Sequence, residues 1–230
     1  MKTSTCIVVL FCLLHTTTIN AQSNPPGRFH AGLSLGLIAS DIDGADNVDN
    51  DNDFNKVGFT AGGIVNTQLN AKNIFQFEIN YIQKGSMGLP DSNNNNYYKI
   101  ALNYIEVPFL IRHRAHIPFL KKLQDNFDVE GGVSIGRLMS NNVKGTANTL
   151  LNNTDVLFNK TDVSIQAGLD YNFSKNIYLC FRYSHSVIPA IKRNQLHLNN
   201  VRYTFDKGNN MVFQFSLKFV FGAKGEEPAQ

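Results

Sequence analysis

The chain has 230 residues and a formal net charge of +3, and 43% of its residues are apolar. A charge this small does not favour a nucleic-acid-binding protein, and no apolar run is long enough for a helix that spans a bilayer. The length allows one domain or two small ones, and any insertion into a membrane must use β-strands.

Residues 1–21 have the pattern of an export signal. An early positive charge precedes the short apolar core 7–14, and small Ala21 suits a cleavage site. Cleavage there removes Cys6 and Cys12 and leaves Cys180 alone, so we expect neither a disulfide nor a cysteine-based metal cluster. The predicted organisation is a signal peptide 1–21, a short N-terminal segment 22–28, a barrel 29–222 and a polar tail 223–230.

Period-two alternation of apolar and polar residues dominates the mature chain and predicts eight strands. The last strand is the clearest, because alternating Phe and Leu residues face away from Gln214, Ser216 and Lys218. The predicted strands are 29–39, 56–69, 73–84, 97–112, 126–140, 161–173, 177–187 and 210–221.

The fourth predicted strand departs from this pattern. Ile105 and Phe109 share one parity, whereas Leu102 and Tyr104 before them have the other, and Pro108 cannot donate to a ladder. A bulge, or a change of environment where the strand leaves the bilayer, would explain the shift.

Long and short connections alternate along the chain. The long polar loops are 40–55, 85–96, 141–160 and 188–209, and the short turns are 70–72 and 174–176, with a longer basic connection at 115–125. This alternation is typical of membrane barrels with long loops outside and short turns in the periplasm. The sequence therefore predicts an all-β, eight-stranded antiparallel up-and-down transmembrane β-barrel in the outer membrane of a Gram-negative cell.

A soluble lipocalin-like barrel would show the same alternation with its apolar face inward. The aromatic-rich apolar face, the absence of Trp and the charges on the polar face favour the membrane. An Arg or Lys facing lipid costs roughly 2–4 kcal/mol at the midplane. We therefore expect the following charges to point into the lumen, and opposite signs to pair there: Glu78, Glu106, Arg112, Glu130, Arg182 and Lys218.

The sequence resembles the PorT-like outer-membrane β-barrel family. The matching segments are 32–36, 56–59, 77–85 and 102–110, with weaker matches at 131–136 and 181–184. The resemblance implies an eight-stranded barrel that tolerates Pro108. The named member of that family is linked to type IX secretion and gliding, and the family offers no catalytic motif. The chain departs from many outer-membrane barrels in its tail after Phe221.

Three constellations are candidates for chemistry. The acidic loop 40–55 has oxygen ligands suited to calcium but lacks EF-hand spacing, so calcium binding and a solvated loop both stay open. His185, on the lipid-facing parity, is flanked by Ser184 and Ser186, which point to the other face, so a girdle histidine is favoured over catalysis.

His113 and His116 have metal-like spacing at the start of the basic connection, among Arg and Lys residues. Its turn setting favours a solvated turn, with contact to phosphate headgroups as an additional role.

We therefore predict a non-enzymatic outer-membrane barrel with a surface-interaction, envelope or secretion-accessory role and no catalytic, cofactor-binding or metal-binding residues. The alternative is an outer-membrane hydrolase acting on lipid or peptide. A pore is disfavoured because side chains fill the lumen of eight strands. The expected partners are outer-membrane lipid and an envelope or secretion protein reached through the outer loops, whose surplus length suits binding.

Overall fold

A computed structural model describes residues 29–43, 54–70, 72–88, 98–114, 126–145, 158–191, 194–198, 201–205 and 207–221. The predicted signal peptide, the segment 22–28 and the tail 223–230 lie outside the described residues and stay predictions. No helix among the described residues is long and apolar enough to cross a bilayer.

Eight strands close into a barrel in the order β1-β10-β7-β6-β5-β4-β3-β2. Every neighbouring pair is antiparallel, which confirms the predicted fold class. The strands are β1 Phe29–Asp43, β2 Lys56–Gln68, β3 Asn73–Gly88, β4 Tyr98–Arg114, β5 Phe127–Gly145, β6 Thr161–Ser174, β7 Ile177–Ser186, β8 Asn194–Leu198, β9 Val201–Phe205 and β10 Asn209–Val220.

The sequence prediction missed one element, the hairpin formed by β8 and β9. These two five-residue strands pair with each other and stand outside the barrel sheet. They lie inside the predicted loop 188–209, where their length is too short for a clear alternation signal.

The two ends of the barrel differ in outline. The short-turn end carries the tight connections between β2 and β3 and between β6 and β7. At the long-loop end, β3, β4 and β5 extend furthest, since they have 16, 17 and 19 residues whereas β7 has 10. We call their projecting ends, residues 83–88, 98–104 and 137–145, the tall wall.

The parity change in the fourth strand does not come from a bulge in that strand, although a bulge lies opposite it in β5. Asn103 pairs with Ser140 and Tyr104 with Leu138, which leaves Met139 of β5 as the extra residue of a bulge. In β4 itself the even-numbered side chains face inward throughout, from buried Leu102 to buried Arg112. The apolar residues before Ile105 therefore mark a change in the lumen, which becomes apolar towards the long-loop end.

Large apolar side chains face outward around the barrel. On β1, Leu33, Leu35 and Leu37 are 58%, 64% and 63% exposed, and Phe215 and Leu217 on β10 are similarly exposed. A contiguous apolar belt of this kind marks a surface that is covered by another phase. The lipocalin-like alternative, with its apolar face inward, is therefore wrong for these strands.

Candidate functional site

The interior of the barrel is divided into two regions. Nearer the short-turn end lies a charged layer, and at the long-loop end lies an apolar mouth cluster. The charged layer consists of Glu78, Arg112, Asp128, Glu130, Asp170, Arg182 and Lys218. The mouth cluster consists of Ile38, Ile42, Ile82, Ile100, Leu102, Tyr104, Ala190, Ile191 and Val212.

Arg182 is the centre of the charged layer. From β7 it reaches across the lumen to Glu78 on β3, donating from Nη2 to Oε1 at 2.7 Å and from Nη1 to Oε2 at 3.0 Å. Its Nε donates to Oε1 of Glu130 at 2.6 Å. This bidentate geometry is the strongest form of carboxylate recognition by arginine, and it confirms that these predicted lumen charges meet.

Two further cations complete the layer. Lys218 Nζ donates to Oε2 of Glu130 at 2.8 Å and to both oxygens of Asp170, at 2.9 and 3.1 Å. Arg112 donates to Oδ2 of Asp128 at 2.6 Å and lies 2.9 Å from Oδ2 of Asp170. The layer therefore connects six of the eight barrel strands through charge-assisted bonds.

A second ionic group, the triad of Lys84, Glu106 and Asp162, borders the mouth cluster. Lys84 Nζ contacts Glu106 and donates to Oδ2 of Asp162 at 2.9 Å, and it lies 5.6 Å from the ring centroid of Tyr104. Ser186 also donates to Asp162, at 2.6 Å. Sequence reasoning placed Glu106 in the lumen but missed Lys84 and Asp162, although each has the inward parity of its strand.

The mouth is closed by the plug segment, residues 187–191, which follows β7. Ile191 forms isolated bridges with Phe158 and Gly208. The Ala190 amide donates to the Gly208 carbonyl at 2.7 Å, and the Asn159 amide donates to the Ala190 carbonyl at 2.8 Å. These bonds hold Ala190 and Ile191 against the other residues of the mouth cluster, and the two residues are 1% and 2% exposed.

The charged layer is buried from solvent. Each of its residues is at most 6% exposed. An eight-stranded barrel has an interior just wide enough for side chains to fill, and here ion pairs fill it. The structure in this region is that of a sealed scaffold.

Glu130, Asp170 and Cys180 form a group with potential metal-ligand atoms within 4.8 Å of one another. The Lys218 ammonium already contacts both carboxylates, and the Cys180 thiol donates to Oε1 of Glu130 at 3.3 Å. A divalent cation would have to displace the ammonium group, so the local chemistry is that of an ion-pair cluster.

The residues considered for catalysis are separated by the barrel wall. His185 has the outward parity and pairs with Met211 and Ile165. Ser184 and Ser186 face the lumen and are buried. The described residues therefore do not bring this histidine to either neighbouring serine, as a hydrolytic site would require.

The remaining candidates lie at the edges of the described regions. His113 is exposed, and its Nδ1 lies 2.8 Å from the Asn73 side-chain oxygen; His116 is outside the described residues. In the acidic loop 40–55 the structure describes residues 40–43 and 54–55. Asp41 accepts a hydrogen bond from Ser86 at 2.6 Å. Calcium binding by this loop stays a prediction.

Comparison with known proteins gives one family. A family model described as the outer membrane protein beta-barrel domain matches residues 20–192, which is more than half of the chain. No curated protein matches the chain.

Several solved structures are similar. The attachment invasion locus protein Ail of Yersinia pestis is 13% identical, with a TM-score of 0.44, over 85% of this chain and 100% of that chain. Neisserial surface protein A is 11% identical, with a TM-score of 0.46, over 85% and 99%. OprG from Pseudomonas aeruginosa is 8% identical, with a TM-score of 0.41, over 84% and 94%.

Proposed function

Since the chain belongs to the outer membrane protein β-barrel domain family, we propose that it is a non-enzymatic scaffold whose extracellular loops bind another protein of the cell envelope. The barrel itself is an integral outer-membrane protein and sits in lipid. The long-loop end is taken as extracellular, the usual orientation of such barrels.

The observation that carries this proposal is the sealed lumen. Ion pairs fill the charged layer and the plug segment covers the mouth cluster, so the described barrel offers neither a channel nor an open cleft for a substrate. The outward faces of the strands contact lipid. Loops on a rigid scaffold often carry binding residues. We therefore assign binding to the long loops of this chain.

The β8–β9 hairpin is the best-defined binding element at the long-loop end. It is joined to the barrel through Ile191 and Gly208, which pair with each other just outside the hairpin. The sequence around it carries Lys192, Arg193 and Arg202, whereas the first long loop is rich in Asp. Opposite charges on two loops favour a partner whose binding depends on salt.

The finer parts of the proposal rest on the sequence. Export through a signal peptide cleaved after Ala21 would leave the barrel at 29–222 between a short N-terminal segment and a polar tail. The resemblance to PorT-like barrels favours a partner among envelope or secretion-accessory proteins.

The proposal is tested by replacing residues 193–206, which contain the hairpin, with a tight turn while keeping Ile191 and Gly208. The matched control shortens the loop 89–97 instead. Both variants are expected to show the heat-modifiable gel migration of a folded barrel. Only the hairpin variant is expected to lose cross-linking to its envelope partner and to fail to complement a deletion strain.

Full complementation by both variants, and by variants with the other two long loops shortened, would remove the loops as the binding site. Attention would then pass to the basic connection 115–125 at the short-turn end.

A further inference from the structure

Four exposed cations lie on the outward side of the long-loop ends of β4, β5 and β6, or beside it. They are Lys99, Arg137, Lys144 and Lys160, and we call them the basic face. Lys99 and Lys144 are direct cross-strand partners. Like charges directly opposite each other in a sheet are destabilising, so an anion bound beside this pair would stabilise it.

The protein does not supply that anion in its described part. The nearby carboxylates of Glu106 and Asp162 point into the lumen, where Lys84 binds them. Among the residues that the structure describes, none accepts a hydrogen bond or forms an ion pair with the four side chains of the basic face. The positive charge of the basic face is therefore available to anionic groups outside the barrel.

The height of the basic face relative to the apolar belt indicates what surrounds it. Ile135, 52% exposed, lies in the belt, and Arg137 is two residues further along β5, or ~7 Å at the usual strand rise. Lys160 lies beside it, because its carbonyl accepts the Leu138 amide at 2.8 Å. Arg137 and Lys160 therefore lie next to the apolar belt, where we expect lipid headgroups to follow the hydrocarbon.

The β5 bulge adds an apolar group at the same level. Met139, the extra residue, is 63% exposed and lies between Arg137 and Ser140. Bulges re-aim side chains, and this one exposes a flexible thioether two residues beyond Arg137. A cationic face that borders an apolar belt suits an amphiphile better than a free ion.

We propose that the basic face binds the phosphate groups of the outer-leaflet glycolipid. Arg137 and Lys160 contact the phosphates nearest the hydrocarbon. Lys99 and Lys144, further along the tall wall, contact anionic groups of the attached sugars. This site is distinct from the loop surface of the proposed function, and its test uses no protein partner.

The test measures binding of lipid A that carries its phosphates to the full barrel in zwitterionic nanodiscs, by native mass spectrometry. The variant K99Q/R137Q/K144Q/K160Q is expected to bind at least about tenfold more weakly, since each basic residue at an anionic surface contributes measurably. The control K72Q/K207Q removes two exposed lysines outside the basic face and is expected to bind as the native chain does. Replacement of the three lysines by arginine is expected to preserve binding.

Equal binding of lipid A and its dephosphorylated form would overturn the proposal, as would unchanged binding by the fourfold variant. Displacement of the lipid by millimolar inorganic phosphate would make the basic face a general anion site and would overturn the assignment to lipid. Heat-modifiable migration reports folding. The double variants K99Q/K144Q and R137Q/K160Q, each expected to show an intermediate loss, provide the same test with fewer changes.

Discussion

The charged layer and the mouth cluster fill the same lumen by opposite means. The charged layer consists of seven titratable side chains at inward-facing strand positions, and the mouth cluster of nine apolar or aromatic residues. In the charged layer each bond joins two barrel strands. In the mouth cluster two of the nine residues come from the plug segment, outside the barrel strands.

This difference separates two tasks. Buried ion pairs are directional and leave a costly unpaired charge when one partner is removed, so we expect the charged layer to fix the register and the closure of the barrel. Apolar contacts are not directional and tolerate local rearrangement. The mouth cluster can therefore release its plug segment without loss of the strand pairing beneath it.

The largest effect is expected from R182M, which leaves Glu78 and Glu130 without their arginine. Removal of one partner from a buried pair destabilises a protein by about 3–5 kcal/mol. Urea unfolding in phosphatidylcholine vesicles measures this loss. Because the chain has no Trp, unfolding is followed by far-UV circular dichroism or by gel migration. The double variant R182M/E78Q is expected to recover part of it, because the stranded charge is gone.

The matched control is R137M, which removes an outward-facing arginine from the same barrel. In zwitterionic lipid it is expected to change the free energy of unfolding by about 0.5 kcal/mol or less. Comparable losses in R182M and R137M would contradict the assignment of barrel closure to the charged layer.

A smaller effect is expected from I191A in the mouth cluster. Truncation of a buried isoleucine usually costs about 2–5 kcal/mol, but here the plug segment opens first and the loss is local. Hydrogen exchange should accelerate at the amides of Ala190 and Asn159, while amides in β6 and β7 keep their protection. Uniform acceleration through the barrel strands would show that the two regions unfold as one unit.

The smallest effect is expected at Cys180, the free cysteine among the described residues. Its thiol is 0% exposed and bonded to Glu130 in the charged layer. In a chain that begins at residue 22 and has been refolded, Cys180 is expected to react with a maleimide only after the barrel unfolds. The I191A variant is expected to react at the same slow rate as the native chain. A tenfold faster reaction in I191A would mean that the plug segment alone protects the lumen.

Much of this organisation was predictable from the sequence, because period-two alternation specifies both the strands and the face on which each side chain lies. The predicted and observed bounds of β2 differ by one residue, and Glu78, Glu130 and Arg182 face the lumen as predicted. The prediction that opposite charges pair followed from the cost of isolated charge alone. Which charges pair did not follow, since that depends on the strand register around a closed ring.

The missed features lie where alternation gives no signal. Lys84 is the last residue of its predicted strand and Asp162 is the second residue of its own, so both lie where the alternation borders a long loop and its signal is weakest. The sequence analysis offered a bulge in the fourth strand, whereas the bulge lies at Met139 of β5. The plug segment combines Pro189 with small and apolar residues and has no period at all.

The ion pairs between Arg182 and Glu78 join residues that are 104 positions apart in the chain. Contacts between such distant segments form late, because the loop they close must be ordered first. Until β7 stands opposite β3, neither charge has this counterpart, and an unpaired buried charge is costly. A barrel with its strands incomplete or out of register would leave interior charges unpaired, so the charged layer favours the correctly closed ring.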